Sequence, residues 1–544
     1  MRKSHIGLGL LVGALLAAPL TVLMYLAKQL FDLAFIPYDL FNWVTKILPG
    51  PVVTFGIDLM IDTLILLGIN VADAAKTAEQ MMAVFGFFVV ATLVGAGFFL
   101  YTSISKIKPG IPAGLVAGAL LGLPMIAVSI GVGASKMNPF INILWLAVLF
   151  GAWGLLLSFV TARLLEYEQA ASGEEQETAD VQRLNRRQFL ITLGATSASV
   201  TVVGAGLAAL LERSEQSQRL RELEAGMAHQ VDSPEGKQLP NIDDPVTPAP
   251  GTRPEYTPLK DHYKVFIEVQ PTEIDGDTWH LPITGLVENP LMLTPDDLRD
   301  NYPVRSQYVT ISCISGRVGT SLIGTTLWEG ASVMDVLADA GLKPEARYLK
   351  INSADGFYET IALDLIESDD RIMFCYNWDG NPLPSEHGFP LRIWIPDRYG
   401  MKQPKWITSI EVTDTYEEGY WVERGWDEIA QVKATSVIDT VAANAVYESG
   451  GDQLVPIGGI AYSGDRRISK VEVRMDDGPW QEAKLRSPLS ETTWVIWRFD
   501  WPFEAGNHVF EVRCEEGDGT PQIAEEAKAR PSGSSGYHSQ EASL

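Results

Sequence analysis

The sequence predicts a multi-domain chain: an all-α transmembrane N-terminal bundle, an α+β domain, and an immunoglobulin-like β-sandwich at the C-terminal end. Three observations predict it. Apolar runs long enough to cross a bilayer crowd into the first 211 residues. Mixed strand and helix signals fill residues 259–425, around a dense set of cysteine, histidine, arginine and lysine. Strand-type alternation then dominates residues 426–522.

Uncharged apolar runs occur at 6–27, 81–103, 111–134, 140–162 and 189–211. Each can span a membrane as a helix. A sixth run, 51–72, holds Asp58 and Asp62 four apart on one helical face. Buried acids are expensive in lipid, so this run is expected to be interfacial or packed inside the bundle rather than a simple span. Basic residues orient the set. Arg2 and Lys3 precede the first run, Lys106 and Lys108 follow the second, and Arg163 and the 183–187 segment follow the fourth. With five spans all of these face the cytoplasm and the chain after Leu211 lies outside. A sixth crossing would move only the amino terminus. The expected location is therefore the cell membrane, multi-pass, with the domain after Leu211 on the extracytoplasmic side.

The expected divisions are a transmembrane region at 1–165, a cytoplasmic acidic linker at 166–188, a membrane helix at 189–211, a linker at 212–258, the α+β domain at 259–425, the sandwich at 426–524 and a tail at 525–544. The second linker turns proline-rich (Pro245, Pro248, Pro250, Pro254) and reads as a tether. Val333 to Gly341 is an amphipathic helix stopped by glycine, and Ile407 to Val412 a strand. In the sandwich, 468–475, 493–499 and 508–514 alternate as strands, with a turn at Asp476-Asp477-Gly478. On composition alone the tail reads as disordered.

The net charge of −26 argues against a nucleic-acid partner and favours solubility; halophilic adaptation is a weaker reading of the same number. The three cysteines, Cys313, Cys375 and Cys514, form no CxxC or CxxCH, so neither an iron–sulfur cluster nor a c-type haem is expected. Cys375 and Cys514 read as strand-core thiols. His5 precedes the first apolar run and no histidine lies within any run, which excludes a bis-histidine haem in the bundle. Electrons must then pass to an external carrier or a partner subunit.

The chemistry-bearing residues fall in order. Cys313 stands in Thr310-Ile-Ser-Cys313-Ile-Ser-Gly316-Arg317, and Asp355 in Ser353-Ala-Asp355-Gly356-Phe357. His387 and Arg392 stand in Leu383-Pro384-Ser-Glu-His387-Gly388-Phe-Pro390-Leu-Arg392. Lys402 and Lys405 stand in Tyr399-Gly400-Met-Lys402-Gln403-Pro-Lys405-Trp406. Singly, each has a plain reading: a small buried thiol, a turn with a surface histidine, a solvated basic edge. As an ordered set they resemble the molybdenum-cofactor domain of the sulfite oxidase family. The resemblance covers residues from about 255 to about 540.

The resemblance implies an oxidoreductase performing oxygen-atom or two-electron transfer on a small molecule, at a mononuclear molybdenum held by one pterin and by Cys313. A thiolate is the soft anionic donor that such a metal takes. It implies catalytic roles for Cys313 and Tyr358. It implies that Tyr263, Lys264, Asp355, His387, Arg392, Gly400, Lys402, Gln403 and Lys405 hold the pterin. Arg392 would grip its phosphate in a fork, and Asp355 would accept from the ring. The region after the cofactor domain resembles the family's dimerisation domain, which implies a homodimer, and Pro531 to His538 resembles a family tail that packs back. Two departures point away from sulfite: Val265 stands where an anion-gripping arginine is typical, and Phe357 where a tyrosine is typical, with Tyr358 next to it. The chain is closer to membrane-linked bacterial members of the family. A catalytically silent membrane receptor or scaffold that keeps the fold is the alternative.

Leu184-Asn185-Arg186-Arg187-Gln188-Phe189-Leu190 resembles a twin-arginine export signal; an ordinary pair of positive-inside arginines is the plainer reading. Ala208 to Leu211 offers no small-x-small cleavage site, so the helix is expected to remain as an anchor.

Overall fold

The computed structural model describes residues 2–67, 69, 71–105, 107–133, 137–173, 176–228 and 239–544. Lys106, counted above among the orienting basic residues, lies outside them. The chain forms two compact units: Met1–Leu48 with Thr77–Ala225, and Pro49–Lys76 with Gly226–Leu544.

The first unit is helical. Its helices are α1 (Arg2–Phe31), α2 (Ile36–Ile47), and, after α3 (Gly50–Leu66) of the other unit, α4 (Val71–Ser105), α5 (Ile111–Val132), α6 (Pro139–Gly173) and α7 (Gln176–Ala228). Among the described residues, five stretches are long and apolar enough to cross a membrane: His5–Phe31, Ala74–Ser105, Ile111–Val132, Pro139–Glu168 and Leu184–Leu211. They coincide with the five uncharged runs. Close backbone approach fastens α5 to α6. A Cβ on Gly118 would stand 2.5 Å from the Phe150 carbonyl, and one on Gly154 2.2 Å from the Gly114 carbonyl. Small residues at this spacing let two apolar helices touch backbone to backbone.

The acidic linker differs from expectation. Helix α6 continues to Gly173 and α7 begins at Gln176, because Glu, Gln, Ala and Leu are good helix formers. Glu166 bridges Arg163 at 3.2 Å and Lys108 at 2.5 Å.

The sixth run is no simple span, as expected, but it does not group with the helical unit. Helix α3 is 17 residues long, too short to be one of the candidate spans, and it groups with the second unit rather than inside the helical one.

In the second unit the strands β1 (Leu281–Gly285), β2 (Leu291–Leu293), β3 (Val304–Ser312), β4 (Ile323–Ser332), β5 (Tyr348–Ser353), β6 (Tyr358–Ala362), β7 (Met373–Trp378), β8 (Asn381–Pro382), β9 (Arg392–Trp394) and β10 (Ile407–Thr413) make two sheets. One runs β2-β1-β10-β5-β6, with β1 and β10 parallel; the other runs β3-β4-β7-β8, with β9 on β7. The helix expected near Val333 is α9 (Val333–Ala340), which follows the short α8 (Pro295–Asp300). Ser332 caps its start, Gly341 ends it at φ 66°, and Val333, Val336, Leu337 and Ala340 are buried. These four pack with Leu281, Ile351, Phe374 and Ile410 in one core. Each large aliphatic buried there contributes about 1.5–3 kcal/mol.

The last part is a two-sheet β domain. The sheets are β11 (Thr435–Val441), β13 (Asp452–Tyr462), β17 (Val495–Pro502) and β16 (Lys484–Leu485) with β12 (Tyr447–Ser449) at the side, and β15 (Gln481–Glu482), β14 (Ile468–Met475), β18 (Asn507–Glu516) and β19 (His538–Ser543). Ile457, Trp497, Val471 and Val512 from the two sheets share one core. The strands expected from alternation are β14, β17 and β18. Strand β19 was not anticipated, because a short polar segment carries no alternation strong enough to see; it pairs from Asn507↔Ser543 to Val512↔His538.

The proline-rich stretch docks instead of swinging free. Arg486 meets Glu255 at 2.9 Å and donates to the carbonyls of Asn241 and Val246, each at 2.9 Å. Arg253 forks onto Asp439 at 2.6 and 2.9 Å. Proline removes donors, and these arginines supply donors to the carbonyls left over. Arg486→Ala is expected to cost about 3 kcal/mol by leaving the largely buried Glu255 carboxylate without its charged partner, with only the Asn241 amide still donating to it. Thermal melting of the full chain, with proteolysis near residues 239–250, measures it; an unchanged melt and cleavage pattern would show that the stretch is held some other way.

Candidate active site

Cys313 follows β3 directly. The β3–β4 hairpin pairs from Val304↔Ala331 to Ser312↔Ile323, so Cys313 opens the loop at the hairpin tip. Its amide donates to the Leu322 carbonyl at 2.9 Å and its carbonyl accepts from Gly316 at 3.0 Å, which fixes the loop. The Sγ lies 3.1 Å from the Ser315 hydroxyl. Burial pushes the thiol above its ordinary value. The Ser315 hydrogen bonds and the Lys405 charge act in the opposite direction without overcoming burial.

Beside Cys313 lies a buried basic and aromatic cluster. His262, His387 and Arg392 are 4%, 2% and 5% exposed. The ring of His387 stands 5.2 Å from that of His262 and 4.5 Å from that of Trp378. The Arg392 guanidinium lies 4.2 Å over the Trp328 ring and donates to the His387 carbonyl at 3.1 Å. Lys405 donates to the carbonyls of Val265 at 2.9 Å and Glu386 at 3.1 Å. Gly388, at φ 112°, lets this turn close; a Cβ there would stand 2.9 Å from that of Lys405. Burial forces all of these groups toward neutrality, and for the histidines and Lys405 the neighbouring positive charge of Arg392 adds to it. The His262 ring is pushed down to about 3, His387 well below its ordinary value, Lys405 likewise, and Arg392 to about 10.

The cluster fits a buried anion. The Nε2 atoms of His262 and His387, the Nε of Arg392, the indole nitrogens of Trp328 and Trp378 and the Ser312 hydroxyl are all buried without a hydrogen-bond partner. Buried donors are normally satisfied. A phosphate among them supplies acceptors and negative charge at once.

The structure sorts the expected site residues. His387, Arg392 and Lys405 come together, and Tyr263 stacks on His262 at 5.1 Å. Gly400 keeps space by the cysteine loop: a Cβ would stand 3.4 Å from the Tyr263 hydroxyl and 3.6 Å from the Ser312 carbonyl. Asp355 is buried and its carboxylate accepts from the Phe357 amide at 3.0 Å, which shapes the turn. Lys264 lies at the rim, paired with Glu386 at 2.9 Å. Gln403 braces the backbone through the carbonyls of Arg398 at 2.8 Å and Ile395 at 3.3 Å.

Two residues lie elsewhere. Lys402 pairs with Glu359 at 2.6 Å, with side chains 7% and 0% exposed, so its charge is already spoken for. Tyr358 donates its hydroxyl to Glu423 and its ring stands 5.9 Å from that of Tyr420. Strand alternation explains both: Glu359 turns into the core to meet Lys402, and its neighbour Tyr358 turns the other way. His262, Trp328, Trp378 and Ser312 were missed as site residues. His262, next to Tyr263, was open to notice; tryptophans on strands read simply as core.

The C-terminal part completes the surroundings of Cys313. Tyr399, Lys433, Tyr462 and Ser534 line a pocket with the Cys313–Thr320 loop. The Ser534 hydroxyl donates to the Gly316 carbonyl at 2.8 Å, and Lys433 to the Gly533 carbonyl at 2.6 Å.

Comparison with known proteins gives the family. Residues 268–421 match the family description "Oxidoreductase molybdopterin binding domain" and residues 424–523 "Mo-co oxidoreductase dimerisation domain". The chain is 30% identical to "Uncharacterized oxidoreductase YuiH" of Bacillus subtilis (strain 168) over 152 residues, 28% of this chain and 74% of that protein. It is 29% identical to "Nitrate reductase [NADPH]" of Fusarium oxysporum over 256 residues, 39% of this chain and 28% of that protein. It is 28% identical to "Sulfite oxidase, mitochondrial" of Macaca fascicularis over 289 residues, 45% of this chain and 53% of that protein. The chain therefore spans about half or less of the two longer relatives. It belongs to the sulfite oxidase family of molybdopterin-dependent oxidoreductases and is an enzyme of that class.

The two basic residues of the motif separate by experiment. Arg392→Ala is expected to lower bound pterin roughly tenfold, because a buried phosphate loses its charged partner. Lys402→Ala is expected to cost about 3–5 kcal/mol of stability with or without cofactor, because Glu359 is left buried and unpaired. Fluorescence of oxidatively released pterin and melting temperature give the two readings. The reverse pattern would exchange the assignments.

Proposed function

We propose that the chain is a membrane-anchored oxidoreductase that carries out oxygen-atom or two-electron transfer on a small molecule, with Cys313 as the protein ligand of a single molybdenum. The observation that carries this is the set of buried, unpartnered donors beside a loop-held cysteine. The bound molybdenum–pterin group supplies the two-electron redox chemistry. Arg392, His387, His262 and Lys405 bind and orient its phosphate end. The Cys313 loop, pinned by Leu322, Gly316 and Ser534, holds the thiolate in place. The pocket lined by Tyr399, Lys433 and Tyr462 is the candidate substrate side. Sulfite is not favoured: Val265, where an anion-gripping arginine is typical, offers no charge.

Electrons leave through an external carrier or partner subunit. The two-sheet C-terminal domain reads as immunoglobulin-like and as the surface that pairs two copies, in line with the dimerisation family it matches. The five apolar stretches anchor the chain in the cell membrane, with the catalytic unit outside. Arg186 and Arg187, just inside the start of the Leu184–Leu211 stretch, act as the export signal of a domain that must receive its cofactor before crossing.

Cys313→Ser is expected to abolish turnover while stability stays within about 1 kcal/mol, because a hydroxyl fits the space but is a poor donor to the metal. Activity on a panel of sulfoxides, sulfite and related small molecules, read beside melting temperature, tests this; wild-type turnover would remove Cys313 from the metal. Arg186→Lys with Arg187→Lys is expected to leave residues 212–544 inside the cell while the first four apolar stretches still insert. Protease added to intact spheroplasts reports the side. Cleavage of the double variant's catalytic unit would reduce the arginines to positive-inside anchors.

A further inference from the structure

The pocket beside Cys313 is positive in composition but not in effect. Among the described residues that line it, Arg317 and Lys433 carry a formal charge, and no acid does. The rest are apolar, as Val318 and Leu322 are, or bear hydroxyls, as Tyr399 and Tyr462 do. A cleft lined by cations alone attracts anions. Here each cation is already engaged. Arg317 pairs with Asp62 of α3. The Lys433 ammonium donates to the Gly533 carbonyl at 2.6 Å. Burial lowers its proton affinity, and the Asp427 carboxylate partly restores it. The Tyr399 hydroxyl accepts from the Lys433 amide at 3.2 Å and keeps its own proton to donate.

Asp62 is held where it stands. Two residues on, Leu64 is buried with Val309, Ile311 and Leu322, and Cys313 packs against the same cluster. One turn back along the helix, Asp58 meets Arg530 of the tail at 3.6 Å. Four residues after Arg530, the Ser534 hydroxyl binds the Gly316 carbonyl of the cysteine loop. The helix therefore brings two carboxylates to two arginines, one on the cysteine loop and one on the tail that touches it. The Asp62 and Arg317 side chains are 50% and 45% exposed, so their pair adds little to stability. Its consequence is for charge. An anion approaching Arg317 meets Asp62 as well, and like charges set side by side are costly.

We propose that Asp62 is a selectivity residue of the Cys313 pocket: it cancels the charge of Arg317, so that the pocket takes uncharged oxygen-bearing small molecules such as sulfoxides and turns oxyanions away. This rests on the molybdenum reading above and names its substrate class. In the reductive direction the S–O bond of a sulfoxide breaks. Two electrons from the external carrier and two protons from water turn that oxygen into water, and a thioether is left.

The test uses the detergent-solubilised full chain with its cofactor bound, so that the buried phosphate site is filled. Dimethyl sulfoxide turnover is followed with reduced viologen as electron source. Sulfate is the anionic probe, read as an inhibitor of that turnover and as a ligand in calorimetry. Asp62→Asn is expected to tighten sulfate roughly tenfold in both readings, because Arg317 is then uncompensated. The gain is expected to fade as salt is raised. Asp62→Glu keeps the charge and is expected to match wild type. Asp62→Asn with Arg317→Gln is expected to bind sulfate weakly again, which separates Arg317 from Lys433. Sulfate bound alike by wild type and Asp62→Asn would overturn the proposal, and so would tight binding that survives Arg317→Gln. Wild-type oxidation of sulfite, with ferricyanide as acceptor, at a kcat/KM equal to or above that for dimethyl sulfoxide would overturn it too. No turnover of any substrate by cofactor-loaded protein would instead sink the oxidoreductase reading, and the calorimetry would still decide the role of Asp62.

Discussion

The burial of Arg392 beside two histidines and Lys405 is the constraint on which the catalytic unit depends. Such a cluster is costly in a protein interior. Its members respond by losing proton affinity, and several of their donors find no partner within the protein. The fold tolerates this because strands on both sides hold the cluster in place. Trp328 on β4, Trp378 on β7 and Arg392 on β9 belong to one sheet, so their spacing is set by the ladder rather than by the charges. Under the proposed reading, a cofactor phosphate would convert the same cost into binding energy. The site is then preorganised at the expense of stability without cofactor.

The Cys313 loop depends on elements from distant parts of the sequence. The β3–β4 hairpin presents it, the tail meets it at Gly316, the β domain closes a pocket around it, and α3 reaches it through Arg317. This explains why an outlying helix and a polar tail are ordered at all. The polar tail is held by hydrogen bonds to a framework that already exists, and α3 adds Leu64 to the apolar cluster beneath the loop as well as its ion pair to Arg317.

Some of this was legible along the chain and some was not. The five apolar stretches, α9 and the strands β14, β17 and β18 follow from periodicity, a local property that tertiary contacts did not override. The family followed from the order of the Cys313, Asp355, His387–Arg392 and Lys402–Lys405 motifs. Within those motifs residue type was a poorer guide to role. Lys402 and Lys405 are three apart and chemically alike, yet one neutralises Glu359 and the other joins the basic cluster. Tyr358 looked like a substitute for a missing pocket tyrosine, but one step along a strand reverses the side a residue faces.

The sequence by itself determined which stretches are apolar enough for lipid, which alternate as strands, and that one cysteine stands with an ordered set of basic residues. Only the tertiary structure decided how each lysine spends its charge, that the proline-rich stretch and the tail are docked, and that Asp58 and Asp62 are contacts to the catalytic unit rather than acids set in a membrane helix. The physical reason is range. Periodicity and composition act within a few residues, whereas a charge is assigned by whatever partner the fold brings to it, and for Asp62 that partner is Arg317, far away along the chain.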